Sequence, residues 1–103
     1  MKQEGVTKVG HNALIMEHVH LGHDVTLGNN VIIANASNFA GHVTVEDRAF
    51  ISGGVIVQQF MRIGKSAYIG GMSAIDKDIP HFCTAYGNRI KLKGVNIIGP
   101  RRQ

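Results

Sequence analysis

Five of the six histidines fall early in the chain: His11, His18, His20, His23 and His42. Asp24 follows His23 directly. An imidazole beside a carboxylate is the arrangement of a general base held in one tautomer. Asp24 and His42 are eighteen residues apart, His23 and Gly41 also eighteen, and His23 and His42 nineteen. A chain that returns on itself every eighteen residues therefore gathers these four. Two chemistries fit them. In acyl transfer, His23 takes a proton from a substrate hydroxyl and the bare N–H of Gly41 meets the oxyanion. In a metal site, His18 and His23 serve as ligands, with His11 the candidate third.

Such a return is what the repeat predicts. From residue 9 to 80 the chain reads as consecutive hexads, from VGHNAL to IDKDIP. Position one is always apolar: Val9, Ile15, Leu21, Leu27, Ile33, Phe39, Val45, Ile51, Val57, Ile63, Ile69 and Ile75. Position five is small or apolar throughout, most often Val. Gly10, Gly22, Gly28, Gly64 and Gly70 hold position two, where a repeated tight turn is expected. A six-residue period suits no α-helix. Position five lies two residues before the next position one, so along a strand both side chains point to one face. Each hexad is then a short strand and a turn, and three close a triangular coil. The fold class is all-β, a hexapeptide parallel β-helix of about four coils. No histidine holds position one or five, so all are expected outside the core. The β-helix occupies residues 1–80, with hexads over 9–80. Residues 81–103 lose the period and are expected to be an irregular basic segment, with Gly87-Asn88 as a turn and VNII, residues 95–98, as a short strand.

Composition narrows the partners. The chain has 103 residues and a net charge of +4. Six of its eleven Lys and Arg residues lie after residue 76, where Asp78 is the sole acid. That basic end implies an anionic partner. With no Trp and few aromatics among the charges, nucleic acid is not expected. A single cysteine, Cys83, excludes an internal disulfide and suits a reducing compartment. No stretch resembles a secretory signal or a membrane span. A soluble cytoplasmic protein is expected. Open solenoid ends need covering, and residues 1–8 are too short and polar to do it. The chain is therefore expected to be part of a longer solenoid or to depend on oligomer contacts.

The runs LIMEHVHLGHDVTLGNNVIIANASNFAGHVTVEDRAFISGGVIVQQF, IGGMSAIDKDIP, YGN and GVNIIGPRR make the resemblance specific. They resemble the acyl-[acyl-carrier-protein]–UDP-N-acetylglucosamine O-acyltransferases, which catalyse the first step of lipid A synthesis. The resemblance implies a left-handed β-helix and a homotrimer with active sites between subunits. It implies that His23 is the general base toward the glucosamine 3-hydroxyl, that Asp24 orients it, and that Gly41 supplies the oxyanion N–H. His20, His42 and Gln59 are implied to position the sugar nucleotide. Gly71 matches the position limiting acyl length, and Asn96 and Arg102 match residues near the nucleotide and its diphosphate. Acyl carrier protein in its 3-hydroxyacyl form and UDP-N-acetylglucosamine are the implied partners, and no cofactor or metal is implied. The chain departs from the family at Gln58, often His there, and at Ile98, often acidic there, so a diamino sugar remains open as acceptor. Family members are about twice this length or more, so the likeness is to their central catalytic segment.

Two rivals stand beside this reading. His18-x4-His23 is the spacing of two zinc ligands in the γ-class carbonic anhydrases, which share the solenoid and take a third histidine from a neighbouring subunit, the place proposed for His11. The other rival is a shortened, inactive solenoid that only oligomerises or binds sugar nucleotide.

Overall fold

The structure is a computed structural model that describes residues 7–95. It is a left-handed parallel β-helix of about four turns, with no helix among the described residues. Two-residue strands recur every six residues and stack into three sheets. The first sheet is built from Lys8–Val9, Thr26–Leu27, Thr44–Val45 and Arg62–Ile63. The second stacks Leu14–Ile15, Ile32–Ile33, Phe50–Ile51 and Tyr68–Ile69. The third stacks His20–Leu21, Asn38–Phe39, Ile56–Val57 and Ala74–Ile75. Every pairing in these stacks is parallel, with each residue over the one eighteen earlier, as in Thr26↔Thr44 and Leu21↔Phe39.

The inward residues are those the period selects. Position-one side chains from Leu27 to Ile75 are all buried, with exposures of 2% or less. Position five supplies the other half of the column, with Val25, Val31, Val43 and Val55 fully buried. Ser37 and Ser73 also stand there, and their hydroxyls are satisfied by Ser52 O at 2.9 Å and Gly70 O at 2.7 Å. In the first coil the same column reaches the surface: Val9 is 48% exposed and Ile15 36%.

The turn chemistry differs from the expectation. The left-handed backbone lies at position four, not at the position-two glycines. Asn12, His18, Asp24, Asn30, Ala36, His42, Arg48, Phe60, Ser66 and Met72 all have φ between 56° and 65°. Such a conformation costs a non-glycine residue about 1–2 kcal/mol. Stacking offsets it, because the position-four N–H donates to a position-three carbonyl of the preceding coil. His42 N–H reaches His23 O at 3.0 Å, and Phe60 N–H reaches Gly41 O at 3.1 Å. Position two is glycine for another reason, the closeness of the next coil. A Cβ on Gly22 would lie 2.8 Å from Ala40 C, and one on Gly64 2.5 Å from His81 N.

The stretch after residue 75 also needs correction. Ile79, counted as a position five, stacks on Ile63 as a position one. The corner between them is two residues short, so the following pairings run at an offset of sixteen: Tyr68↔Thr84 and Ile69↔Ala85. Residues 81–95 are therefore not irregular. Cys83–Tyr86 extends the second sheet, and Lys91–Val95 returns antiparallel to it. Cys83 is buried in the core rather than outside the repeat. The two-residue deletion hid this layer by breaking the period while keeping the inward alternation of Cys83 and Ala85.

Two glycines test the stacking argument. Gly64→Ala should lower stability by about 1–3 kcal/mol, since the backbone of the next layer has to move. Gly53→Ala, whose Cβ would meet nothing nearer than Asn35 O at 3.4 Å, should stay within about 0.5 kcal/mol of the parent. Urea melts of both would show equal losses if close approach were not the cause.

Candidate active site at the corner between the third and first sheets

Residues 22–24, 40–42 and 58–60 turn the chain from the third sheet to the first in successive coils. At this corner, position three carries His23, Gly41 and Gln59, one above another. Position four carries Asp24, His42 and Phe60. The left-handed conformation at position four is shared by all three of the latter. The stacking thus converts a spacing of eighteen into a ladder of side chains.

Within it, His23 Nδ1 lies 3.0 Å from Asp24 Oδ2. His42 Nε2 lies 3.9 Å from the same oxygen. The His23 and His42 rings meet edge to face, with centroids 4.9 Å apart at 89°. Phe60 stacks on His42 from the next coil, at 4.6 Å and 4°. An aspartate oxygen accepts, so the Nδ1 proton points to Asp24 and Nε2 of His23 keeps its lone pair. That nitrogen lies over Gly41, where a Cβ would come within 2.8 Å of it. Gly41 is glycine because the imidazole occupies the place of its side chain.

The Gly41 amide is also open. At the corner between the first and second sheets, position-three amides are capped from the coil above: His11 N–H by Asn29 Oδ1 at 2.7 Å, and Asn29 N–H by Asp47 Oδ1 at 2.8 Å. At the histidine corner Gln59 stands in the capping position, and among the described residues the Gly41 N–H has no acceptor. A basic nitrogen and a backbone donor thus lie side by side, which is what addition to a carbonyl requires.

The structure gathers His23, Asp24, Gly41, His42 and Gln59 at this corner. Gln59 is an exposed corner residue next to Phe60. His20 is exposed on the third sheet just before the corner, paired with Asn38. Gly71 lies elsewhere, at the corner between the second and third sheets. Its backbone is not left-handed, and a Cβ there would meet only Gly53 O at 3.5 Å and Ser52 Cβ at 3.8 Å. The turn therefore does not require glycine at that position. Asn96 and Arg102 fall outside the described residues. Of the basic end, Lys77, Arg89 and Lys91 line open hollows of about 450 and 360 Å³ beside the terminal hairpin. Phe60 was missed by sequence reasoning, though its spacing of eighteen from His42 was the available signal.

Within one chain the zinc set drawn from His11, His18 and His23 is not assembled. His11 lies at the corner between the first and second sheets, His18 between the second and third, and His23 between the third and first.

A substitution tests the packing of base on glycine. Gly41→Ala should push the His23 ring off its seat and break the Nδ1–Asp24 contact while leaving the melting temperature nearly unchanged. Nitrogen NMR of the imidazoles reads this directly. An unchanged His23 tautomer in that variant would contradict the geometry.

Known proteins share both sequence and fold. Residues 7–41 match the bacterial transferase hexapeptide family (six repeats). The chain is 53% identical over 98 residues to the acyl-[acyl-carrier-protein]–UDP-N-acetylglucosamine O-acyltransferase of Nautilia profundicola, covering 95% of this chain and 38% of that protein. The Campylobacter concisus enzyme of the same name is 42% identical over 102 residues, covering 99% and 39%. The chain thus spans under two-fifths of the length of these relatives. Among solved structures, the Francisella novicida UDP-N-acetylglucosamine acyltransferase superposes with a TM-score of 0.86 at 38% identity, over 89% of this chain and 34% of that one. A serine acetyltransferase from Neisseria gonorrhoeae superposes as well, at 0.85 with 22% identity over 91% and 40%, so the solenoid alone does not select an acceptor. Sequence and fold alike match this chain to one segment of the acyl-[acyl-carrier-protein]–UDP-N-acetylglucosamine O-acyltransferases, the proteins it resembles over nearly its whole length.

Proposed function

We propose that the chain carries the catalytic segment of an O-acyltransferase. It moves a 3-hydroxyacyl group from acyl carrier protein to the 3-hydroxyl of UDP-N-acetylglucosamine. The observation that carries this is the pairing of His23 Nδ1 with Asp24 at 3.0 Å, with Nε2 against the open Gly41 amide. The substrates are taken from the names of the relatives.

The chemistry follows from those atoms. Asp24 holds the Nδ1–H and stabilises the imidazolium that forms. Nε2 of His23 takes the proton from the sugar hydroxyl as its oxygen attacks the thioester carbonyl. The Gly41 N–H donates to the oxyanion of the tetrahedral intermediate. Collapse breaks the carbon–sulfur bond, and the leaving thiolate takes the proton back from His23 Nε2. No covalent acyl-enzyme is needed. Cys83 is buried, and its thiol lies 3.6 Å from Thr84 O rather than at the histidine corner. His42, His20 and Gln59 border the same corner and position the sugar nucleotide in this reading. Asn96 and Arg102 bind the nucleotide, and the basic end receives the acidic carrier protein.

The exposure of the site supports an assembly. On one chain His23 is 63% exposed, His42 41% and Asp24 30%. Water-excluded acyl transfer needs a second wall. Gly71 stands at a different corner from His23, so one chain does not place an acyl-length limit beside its own base. A homotrimer in which the histidine corner of one subunit faces the Gly71 corner of the next supplies both. A cytoplasmic location fits enzymes drawing on acyl carrier protein.

In a transfer assay with 3-hydroxyacyl carrier protein and UDP-N-acetylglucosamine, His23→Ala should lower kcat by about 10²–10⁴ while preserving the fold. Unaltered turnover would remove His23 from its role. Gly71→Met should shorten the acyl chain preferred, without a large change in stability. The same acyl preference in both proteins would show that Gly71 does not set the length.

A further inference from the structure

The corner that holds the base also presents its side chains as a set of metal ligands. One ligand atom each from His23, Asp24 and His42 lies within 4.8 Å of the others. Two imidazoles and a carboxylate on one side of an ion, with the remaining positions open to solvent, is a recurrent arrangement for first-row transition metals. We propose that this corner is a binding site for a divalent transition-metal ion of the zinc class, and that the ion and the general-base function exclude each other.

The geometry favours it in three ways. First, Asp24 Oδ2 already lies between the two rings, 3.0 Å from His23 Nδ1 and 3.9 Å from His42 Nε2. Ligand atoms around a tetrahedral ion with bonds of about 2.0–2.1 Å stand roughly 3.3 Å apart. Modest rotations of exposed side chains reach that spacing. Second, the frame is fixed. The His42 backbone is held by its bond to His23 O, and the His42 ring is held by the parallel Phe60 ring, which keeps its Nε2 edge toward Asp24. Third, the donors select the ion. Two imidazoles favour zinc, cobalt, nickel or copper over magnesium and calcium, which prefer all-oxygen shells.

The consequence for catalysis is specific. Coordination through His23 Nδ1 requires a lone pair on that nitrogen, so the single ring proton moves to Nε2. Nε2 is the atom that must be proton-free to accept from a hydroxyl. The ion also takes the Asp24 oxygen that fixes the catalytic tautomer. Metal loading therefore silences the base by reversing its tautomer, without blocking the corner with bulk. The metal site itself needs only the observed geometry. Its inhibitory meaning rests on the acyltransfer reading.

Calorimetric titration of the purified chain with zinc chloride in a non-coordinating buffer tests the site without any need for turnover. One ion per chain is expected, with affinity reduced at least about tenfold in each of Asp24→Asn, His23→Ala and His42→Ala. His18→Ala, altered at another corner, should bind as the parent does. Nitrogen NMR of the zinc-loaded chain should show the His23 proton on Nε2. Circular dichroism confirms that each variant is folded. Absence of saturable binding, or affinity unchanged in Asp24→Asn and His42→Ala, overturns the proposal. Loss of binding in His18→Ala would place the ion elsewhere and overturn it equally. Failure of the acyltransfer reading would appear separately, as turnover that survives His23→Ala.

Discussion

Everything in this molecule depends on a vertical constraint. Parallel strand pairing places each residue over the one eighteen positions earlier, at the strand spacing of about 4.8 Å. The pairing needs a turn at each corner, and the left-handed residue at position four provides it. His42 and Phe60 at those positions donate their N–H groups to His23 O and Gly41 O in the coil before. The strained conformation and the interlayer bond are thus two sides of one device. Because it recurs, corner side chains form columns as regular as the apolar column inside.

The histidine corner is that device put to chemical use. Elsewhere the column at position three ties layers together, as Asn29 and Asp47 do by capping amides beneath them. At the histidine corner the equivalent column is His23, Gly41 and Gln59, and the capping is given up. Gly41 leaves room for the imidazole and an amide open to a ligand. Asp24 and His42, one coil apart at position four, bracket the ring from the side. A stabilising contact between layers has been exchanged for an arrangement that can move a proton and stabilise an oxyanion. Phe60 completes it by fixing the plane of His42.

A single chain leaves the proposed site open on one side. A solenoid with three flat sides offers exposed corners rather than deep clefts. Two open hollows lie at the terminal hairpin, and no residue of the histidine corner lines them. The pieces ascribed to one reaction stand on two corners, His23 on one and Gly71 on another. The proposed homotrimer is the arrangement that would bring them together.

The sequence by itself determined the period, the inward positions and the company kept by His23, Asp24, Gly41 and His42. It did so because in a parallel solenoid vertical neighbours follow from counting residues. It misread what counting cannot supply. The position-two glycines looked like turn residues, yet they answer to the backbone of the next coil, a distance absent from any local pattern. The shortened corner before Ile79 broke the count, so the buried layer through Cys83 and Ala85 was taken for irregular chain. Only the tertiary structure decided which nitrogen of His23 faces Asp24, that the Gly41 amide is left without a cap, and that Phe60 lies flat on His42. Those outcomes depend on side-chain direction and on the space between layers, which exist only once the coils are stacked.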